Sequence, residues 1–522
     1  MKSSYSGALL VATGILFSRI AGLVRMRVLA HFLGSSDAGD AFYAAVKIPN
    51  FPQNLLGEGV LSASFIPVYA NLVAKGNKDE ARKVAGVILS LLTLFTSIVV
   101  AIGIVATPLF IDLVAPGFSG DKRDLTIKLV QIIFPATGLL VISAWCLGVL
   151  NSHHKFFLPY VAPVVSNAAV VLVLIFFRHE TSQSQLAVYA AWGLVLGALL
   201  QLASQLPTTL KLVPHLRLSL ATKMSSVQEI IKNFIPVVIS RGVVQLSAFI
   251  DSILASFLPS GAVAALGYAQ TIYMLPISLF GISISAAELP SMSQAFGSEN
   301  FNIKLQKRIN SAIGKVTFFV IPSVAAFLVL GDVVAAILFQ TGKFDQDTSL
   351  YVWRILGGSA IGLLATTLGR LYSSAFYSLR DTRTPLRFSI IRVLLTTALG
   401  YLMGLKLPQI MGLQASWGTA GLTASAGIAG WVEFMLLRKK LNSIIGETGV
   451  PVLVITKIWI AALASAAVGF IIKLQLTGTH PFINGAVILS VYGVLYFAIC
   501  ALFKITEAEQ ILKKVFSKFF RK

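Results

Sequence analysis

Apolar runs long enough to cross a bilayer recur from one end of this chain to the other, and nothing else constrains its fold as much. Val84–Leu113, Leu158–Phe177 and Phe482–Phe503 are three of them. A transmembrane helix needs about 20 predominantly apolar residues. Of the 522 residues 56% are hydrophobic and 12% are charged, where a soluble domain carries about 25% charged residues. The expected fold class is therefore an all-α integral membrane protein with about fourteen transmembrane helices.

The same reading excludes several kinds of function. The first apolar block, from Gly7, is not a cleavable signal, because Arg19, Arg25 and Arg27 interrupt it and no small-residue cleavage site follows. The 2 cysteines, Cys146 and Cys500, lie far apart in apolar stretches, as small core residues do. They form no disulfide framework, and the 6 histidines show no HExxH or clustered spacing, so a metalloenzyme has no support. The net charge of +21 suggests nucleic acid at first sight. Its lysines and arginines punctuate the apolar blocks instead of gathering in a soluble domain, so no nucleic-acid partner is expected.

Fourteen spans can be marked, at 7–33, 38–72, 84–114, 125–150, 158–178, 185–210, 229–258, 262–296, 311–338, 351–378, 386–405, 411–438, 451–473 and 482–503. Loops after even-numbered spans are rich in base, as in Lys75, Lys78, Arg82 and Lys83, in Arg380, Arg383 and Arg387, and in Arg438, Lys439 and Lys440. Loops after odd-numbered spans hold few, among them Lys122, Arg123, Lys343 and Lys406. The bias places both termini and every even loop in the cytoplasm. One miscounted helix scrambles this regularity, so it supports an even total. The tail 507–522 reads as a basic amphipathic helix, with Ile511, Leu512, Val515 and Phe519 on one side, lying on anionic lipid.

An internal repeat is also visible. Ser18-Arg19 recurs as Ser240-Arg241, Pro49, Gly57 and Pro67 as Pro276, Gly281 and Pro290, and Pro163 as Pro385. All are offset by roughly 221 to 227 positions, the signature of a duplicated unit. Each unit holds six spans, so the copies run the same way through the membrane. The expectation is two six-helix lobes, residues 1–218 and 219–442, related by a pseudo-two-fold axis along the membrane normal. Residues 443–522 add two extra transmembrane helices and the basic tail.

Charges inside the spans are costly, from about 2.5 kcal/mol each, and so become functional candidates. Arg19, Arg25 and Arg27 lie in span 1, with Arg19 deepest and Arg27 placed to snorkel. Span 2 is irregular, with Lys47, Pro49, Asn50, Pro52, Gly57, Glu58 and Pro67, and span 8 repeats the interruption at Pro276, Gly281 and Pro290 with Glu288 added. Interrupted segments at matching places in two halves point to a substrate site. In span 7, Arg241 and Asp251 are about 15 Å apart along the axis, too far to pair. Asp251 either ligates a cation or pairs with a base on another helix. Arg370 and Arg392 read as interfacial or loop-anchoring. Arg19 and Arg241 occupy corresponding places on the first helix of each lobe. Two such guanidinium groups across a central cleft repel unless an anion lies between them, and diphosphate oxygens suit them geometrically. The expectation is a cavity for an anionic, phosphate-bearing amphiphile.

At these residues the chain resembles the MviN/MurJ family of lipid II flippases, in the multidrug/oligosaccharidyl-lipid/polysaccharide exporter superfamily. The resemblance is carried by Ser18-Arg19-x-x-Gly22-x-x-Arg25, Asp40-Ala41-Phe42, Pro49-Asn50, Glu58-Gly59 through Phe65-x-Pro67, Ala115-Pro116-Gly117-Phe118 and Asp381-Thr382-Arg383-Thr384-Pro385. It implies a flippase for undecaprenyl-diphosphate-linked peptidoglycan precursor, working by alternating access in the bacterial inner membrane, with spans 13 and 14 grooved for the polyprenyl tail. Arg19, Arg25 and Asp40 match three functional positions of the family's basic cavity. The family usually carries an arginine where this chain has Gln53 and Asn54, and a charged pair where it has Gln270 and Thr271. Arg241 and Glu288 stand where apolar residues are usual, and Arg241 is read as a substitute, with Glu288 gating or coupling it. The resemblance also raises a sodium site with Asp251 as one ligand, although span 11 offers only Thr396, Thr397 and Gly400 beside it. No cofactor is expected, and coupling falls to sodium, protons or the membrane potential.

The expected substrate-binding set is Arg19, Arg25, Asp40, Asn50, Gln53, Glu58, Arg241, Gln270, Thr271 and Glu288, with Asp251 as the candidate metal ligand. Expected partners are the lipid-linked anionic substrate, membrane lipids and the cell-wall synthesis machinery. The competing reading is an exporter of drugs or of another lipid-linked oligosaccharide from the same superfamily. A cationic drug calls for an acidic, aromatic cavity, which the span 1 arginines oppose. A membrane-embedded transferase calls for a catalytic acid or histidine on a long aqueous loop, and no loop exceeds roughly twenty residues.

Overall fold

The computed structural model describes residues 2–294, 301–476 and 480–519, and the regular elements among them are all helices. By packing, the chain divides into two compact units, Met1–Ala264 with Thr341–Lys343, and Ala265–Gln340 with Phe344–Lys522.

The first unit contains α1 (Lys2–Leu33), α2 (Asp37–Leu56), α3 (Glu58–Ala74), α4 (Lys78–Val105), α5 (Thr107–Val114), α6 (Gly120–Ser152), α7 (Phe157–Phe176), α8 (Gln183–Leu212) and α9 (Ser225–Ser256). Its centre is α6, which packs against α2, α3, α4 and α8, while α1 lies on α7. Two apolar clusters fill it, one around Phe42, Leu129 and Leu186, the other around Phe65, Tyr69 and Trp145. The far side of α4 leaves Phe95, Ile98 and Ile102 exposed, as a lipid-facing helix does. Helix α9, the first of the expected second lobe, packs on α2, α3, α4 and α5 within this unit. The segment Thr341–Lys343 joins it through α1, where the Lys343 N–H donates to the His31 carbonyl at 2.8 Å.

The second unit continues from α10 (Ala262–Pro276) through a π-helical turn (Ile277–Ile282) into α11 (Ser283–Gln294), then α12 (Phe301–Phe339), α13 (Gln346–Ser378) and α14 (Arg383–Gly400). A second π-helical turn (Tyr401–Lys406) leads to α15 (Leu407–Ile410), followed by α16 (Trp417–Ile445), α17 (Val452–Gln475), α18 (Pro481–Leu502) and α19 (Thr506–Phe519). The tightest pair is α13 with α16. A Cβ on Gly362 would stand 2.3 Å from Gly427 Cα, so the two backbones touch, as small residues allow between helices in lipid. Helices α17 and α18 pack on α12 and on each other. Both Cys146 and Cys500 are buried and unbridged.

Among the described residues twelve helical stretches are long and apolar enough to cross a membrane. Helices α1 and α9, 32 residues each, stand where the other two expected spans were marked. Three expectations are refined by the coordinates. Helix α2 runs through both Pro49 and Pro52, and span 2 breaks one turn later, at Gly57. Span 3 is divided into α4 and α5 at Ala106. The tail helix α19 anchors its start in protein, with Ile505 and Ala508 buried and Ile511 packed beside them. The side chains of Leu512, Val515 and Phe519 lie outside the described residues.

Candidate functional site

Of the three arginines on α1, Arg19 is exposed and Arg25 is half-buried. The Arg25 Nε is buried and has no hydrogen-bond partner among the described residues, although the Tyr43 ring lies in reach. The ion pairs of this unit join Lys122 to Asp37 and Asp40, Arg123 to Asp112 and Asp124, and Arg82 to Asp79. Neither Arg19 nor Arg25 takes part in them. A guanidinium whose Nε is buried and unsatisfied is costly to keep in a membrane, and a bound anion offsets that cost.

Asp40 is built differently. Its side chain is 1% exposed. One oxygen accepts the Ala264 N–H at 2.8 Å, and the other accepts the Gly261 N–H at 2.8 Å together with Lys122. The carboxylate thus holds the start of α10, where unsatisfied N–H groups and the helix dipole favour an anion. Its oxygens are used by the protein itself.

The break in span 2 opens a polar cavity of about 570 Å³. Gly57 takes an extended conformation (φ −88, ψ −152) between α2 and α3. A Cβ there would lie 2.5 Å from the Gln53 carbonyl oxygen, so the turn requires glycine. Gln53, Asn54 and Glu58 line the cavity from this break, and Ser143 and Gln201 close it from α6 and α8. Gln201 and Gln205 both donate to the Ser143 hydroxyl, at 3.1 and 2.9 Å. Gln205 is 1% exposed, and its Oε1 has no partner among the described residues. The lining is amide- and hydroxyl-rich with one acid, a surface suited to hydroxyl and amide groups. Asn50 is half-buried on α2 and does not line it.

Lys47 was passed over as a mere irregularity of span 2, yet it binds α2 to α9. Its ammonium donates to the Ser252 hydroxyl, and Asp251 stands within electrostatic reach. That neighbour fits the pairing alternative for Asp251. Among the described residues no three His, Cys, Asp or Glu side chains gather to hold a metal. Arg241 falls in α9, but its side chain lies outside the described residues, as do those of Ser240 and Pro290.

In the second unit Gln270 is exposed on α10, while the Thr271 hydroxyl donates to the Gly267 carbonyl at 3.0 Å. Glu288 pairs with Arg308 at 3.5 Å and Lys315 at 3.3 Å on α12. Arg370 and Arg392, read from sequence as interfacial or loop-anchoring, lie near one acid. Arg392 donates to Glu433 at 3.1 Å, the Ser389 hydroxyl donates to the other oxygen at 3.1 Å, and Arg370 lies in reach of both Arg392 and Glu433. Tyr273 of α10 joins this group, its hydroxyl 3.4 Å from Thr366. Two guanidinium groups near one carboxylate leave a net positive charge. Glu433 carries no signal in the sequence, because its partners Ser389 and Arg392 stand on another helix.

Comparison with known proteins follows the same lines. The sequence pattern of the family described as "Lipid II flippase MurJ" matches residues 29–491. The chain is 31% identical over 442 residues to a Rhizobium tropici protein named "Probable lipid II flippase MurJ", covering 82% of this chain and 79% of that one. It is 28% identical over 517 residues to the Thermotoga maritima protein of the same name, covering 98% and 99%. Among solved structures it is similar to a lipid II flippase MurJ in an inward closed conformation, with a TM-score of 0.77, 24% identity and coverage of 95% and 98%. An inward-facing multidrug resistance transporter of the MATE family shares the fold at a TM-score of 0.65 and 19% identity, covering 81% and 95%. The chain belongs to the lipid II flippase MurJ family.

Proposed function

We infer that this chain translocates lipid II, the undecaprenyl-diphosphate-linked peptidoglycan precursor, across the bacterial inner membrane without making or breaking a covalent bond. The observation that carries this reading is the half-buried Arg25, whose buried Nε has no hydrogen-bond partner among the described residues. A diphosphate supplies the missing anion through paired N–H···O bonds. Within the second unit, Arg392 pairs with Glu433 and Arg370 stands near both, a further group of net positive charge. The polar cavity at Gly57 offers amides and hydroxyls of the kind that bond sugar and peptide groups. Both termini lie in the cytoplasm by the distribution of basic loops. The span 1 arginines disfavour a cationic drug as cargo.

The test is rescue of bacteria depleted of their own flippase, with external hydrolysis of the lipid-linked precursor as the readout of translocation. Arg25→Ala is expected to insert normally and to fail in rescue, with Arg370→Ala impaired. Full rescue by Arg25→Ala, Arg370→Ala and Arg392→Ala overturns the assignment of these groups to the headgroup.

A further inference from the structure

A second cavity, of about 610 Å³, lies within the second unit between α13, the π-helical turn Tyr401–Lys406 and α16. Its wall is apolar, formed by residues such as Gly357, Ile361, Met403 and Leu407. One charge stands at its mouth, the Arg354 guanidinium, stacked over the Trp417 ring at 5.0 Å. The ion pairs of this unit use Arg308, Lys315, Arg392 and Lys473, so among the described residues Arg354 has no acidic partner.

Gly357 is the independent clue. Gly358 and Gly362, beside it in α13, have evident packing reasons to be glycine, since a Cβ on Gly358 would meet the Ala420 carbonyl oxygen at 2.3 Å, while Gly369 further along the helix, like Gly357, has open space but does not line this cavity. A Cβ on Gly357 would meet nothing within 4 Å. A glycine inside a helix weakens it, and here no protein atom takes the space it frees. The adjoining π-helical turn is of a kind frequent at functional sites. The rim residues Leu328, Ile361 and Leu413 are 42%, 45% and 45% exposed, so the cavity opens at the unit's surface.

We propose that this cavity binds one anionic glycerophospholipid, its acyl chain lying over Gly357 and its phosphate on Arg354. In a bilayer an apolar recess open to lipid meets acyl chains, not water. Trp417 marks headgroup depth, where tryptophan collects, and a guanidinium holds phosphate with two parallel hydrogen bonds. Arg354 brings a charge that the protein leaves uncompensated, so a lipid with net negative charge gains over a zwitterionic one. Leu413 and Trp417 on its lining stand beside the connection after span 11, which the basic-loop pattern assigns to the side away from the cytoplasm. The lipid therefore comes from the outer leaflet.

The test titrates the full chain in detergent with phosphatidylglycerol or phosphatidylcholine and counts bound lipids by native mass spectrometry. The wild type is expected to take its first phosphatidylglycerol about tenfold more tightly than phosphatidylcholine, a difference of about 1.4 kcal/mol. R354Q is expected to abolish that preference. G357L fills the recess without meeting backbone and is expected to remove the first bound lipid while leaving the thermal unfolding midpoint unchanged or raised. R354Q carries the test alone should G357L fail to fold. Equal binding of the two lipids by the wild type, or undiminished binding by a folded G357L, overturns the proposal. Displacement of phosphatidylglycerol by a polyprenyl phosphate would assign the recess to the transport substrate and overturn it too. Because the readout is binding, the outcome is independent of whether the chain flips lipid II.

Discussion

Asp40 and Arg25 are both charges kept inside a membrane protein, and they are kept on opposite terms. Asp40 satisfies two backbone N–H groups and Lys122, whereas the Arg25 Nε satisfies nothing among the described residues. Asp40→Ala leaves two N–H groups at the start of α10 without their acceptor and Lys122 with Asp37 alone, an expected loss of about 1–3 kcal/mol, read as a lower unfolding midpoint in detergent. Arg25→Met removes an uncompensated charge and is expected to hold or raise that midpoint while abolishing rescue, the trade between stability and activity that strained sites show. A fall in stability for Arg25→Met comparable to that for Asp40→Ala contradicts this division. The sequence marks both residues as out of place in lipid. It does not separate them, because the groups that receive Asp40 lie 221 and 224 positions away. The sequence shows Lys47 as a charge in span 2 but not its role, and gives no sign of Glu433, because their partners Ser252 and Arg392 stand on other helices.

At the scale of elements, apolar length decides where helices cross, and contact between backbones decides how they bend and pair. The prolines of span 2 suggested a break at 49–52, yet the helix passes through them, with Thr137 donating to the Pro49 carbonyl at 3.0 Å. The break falls at Gly57, where only a residue without a side chain clears the Gln53 carbonyl. Gly57→Ala is expected to cost about 1–3 kcal/mol through overpacking and to lower transport by disturbing the polar cavity that Gln53 and Glu58 line. Gly362→Leu is expected to be worse, since it forces α13 off Gly427 of α16 and leaves little folded protein to purify. Normal yield and thermal midpoint for Gly362→Leu contradict the close crossing. Pro276 does mark an irregularity, since the π-helical turn begins at the next residue. The paired interruptions read from the repeat are therefore real in both spans, while their form differs.

For the molecule as a whole, orientation follows from the charge of short loops, which insertion reads locally. Single cysteines introduced at His154 and at Gly412 should react with an impermeant thiol reagent from the cytoplasmic and the external side respectively. Cys146 and Cys500 are buried, so the background is low. Labelling of both sites from one side contradicts the topology. The duplication led to lobes meeting at residue 218, and packing draws its own line at Ala264, with α9 among the first unit's helices. What the sequence determined by itself was the membrane class, the crossings and the charges that need explaining, because transfer from water to lipid sums over about 20 neighbouring residues. Only the tertiary structure decided which of those charges the protein neutralises and which it leaves for a ligand. That depends on groups hundreds of positions apart coming within 3 Å, and no local property of the chain records it.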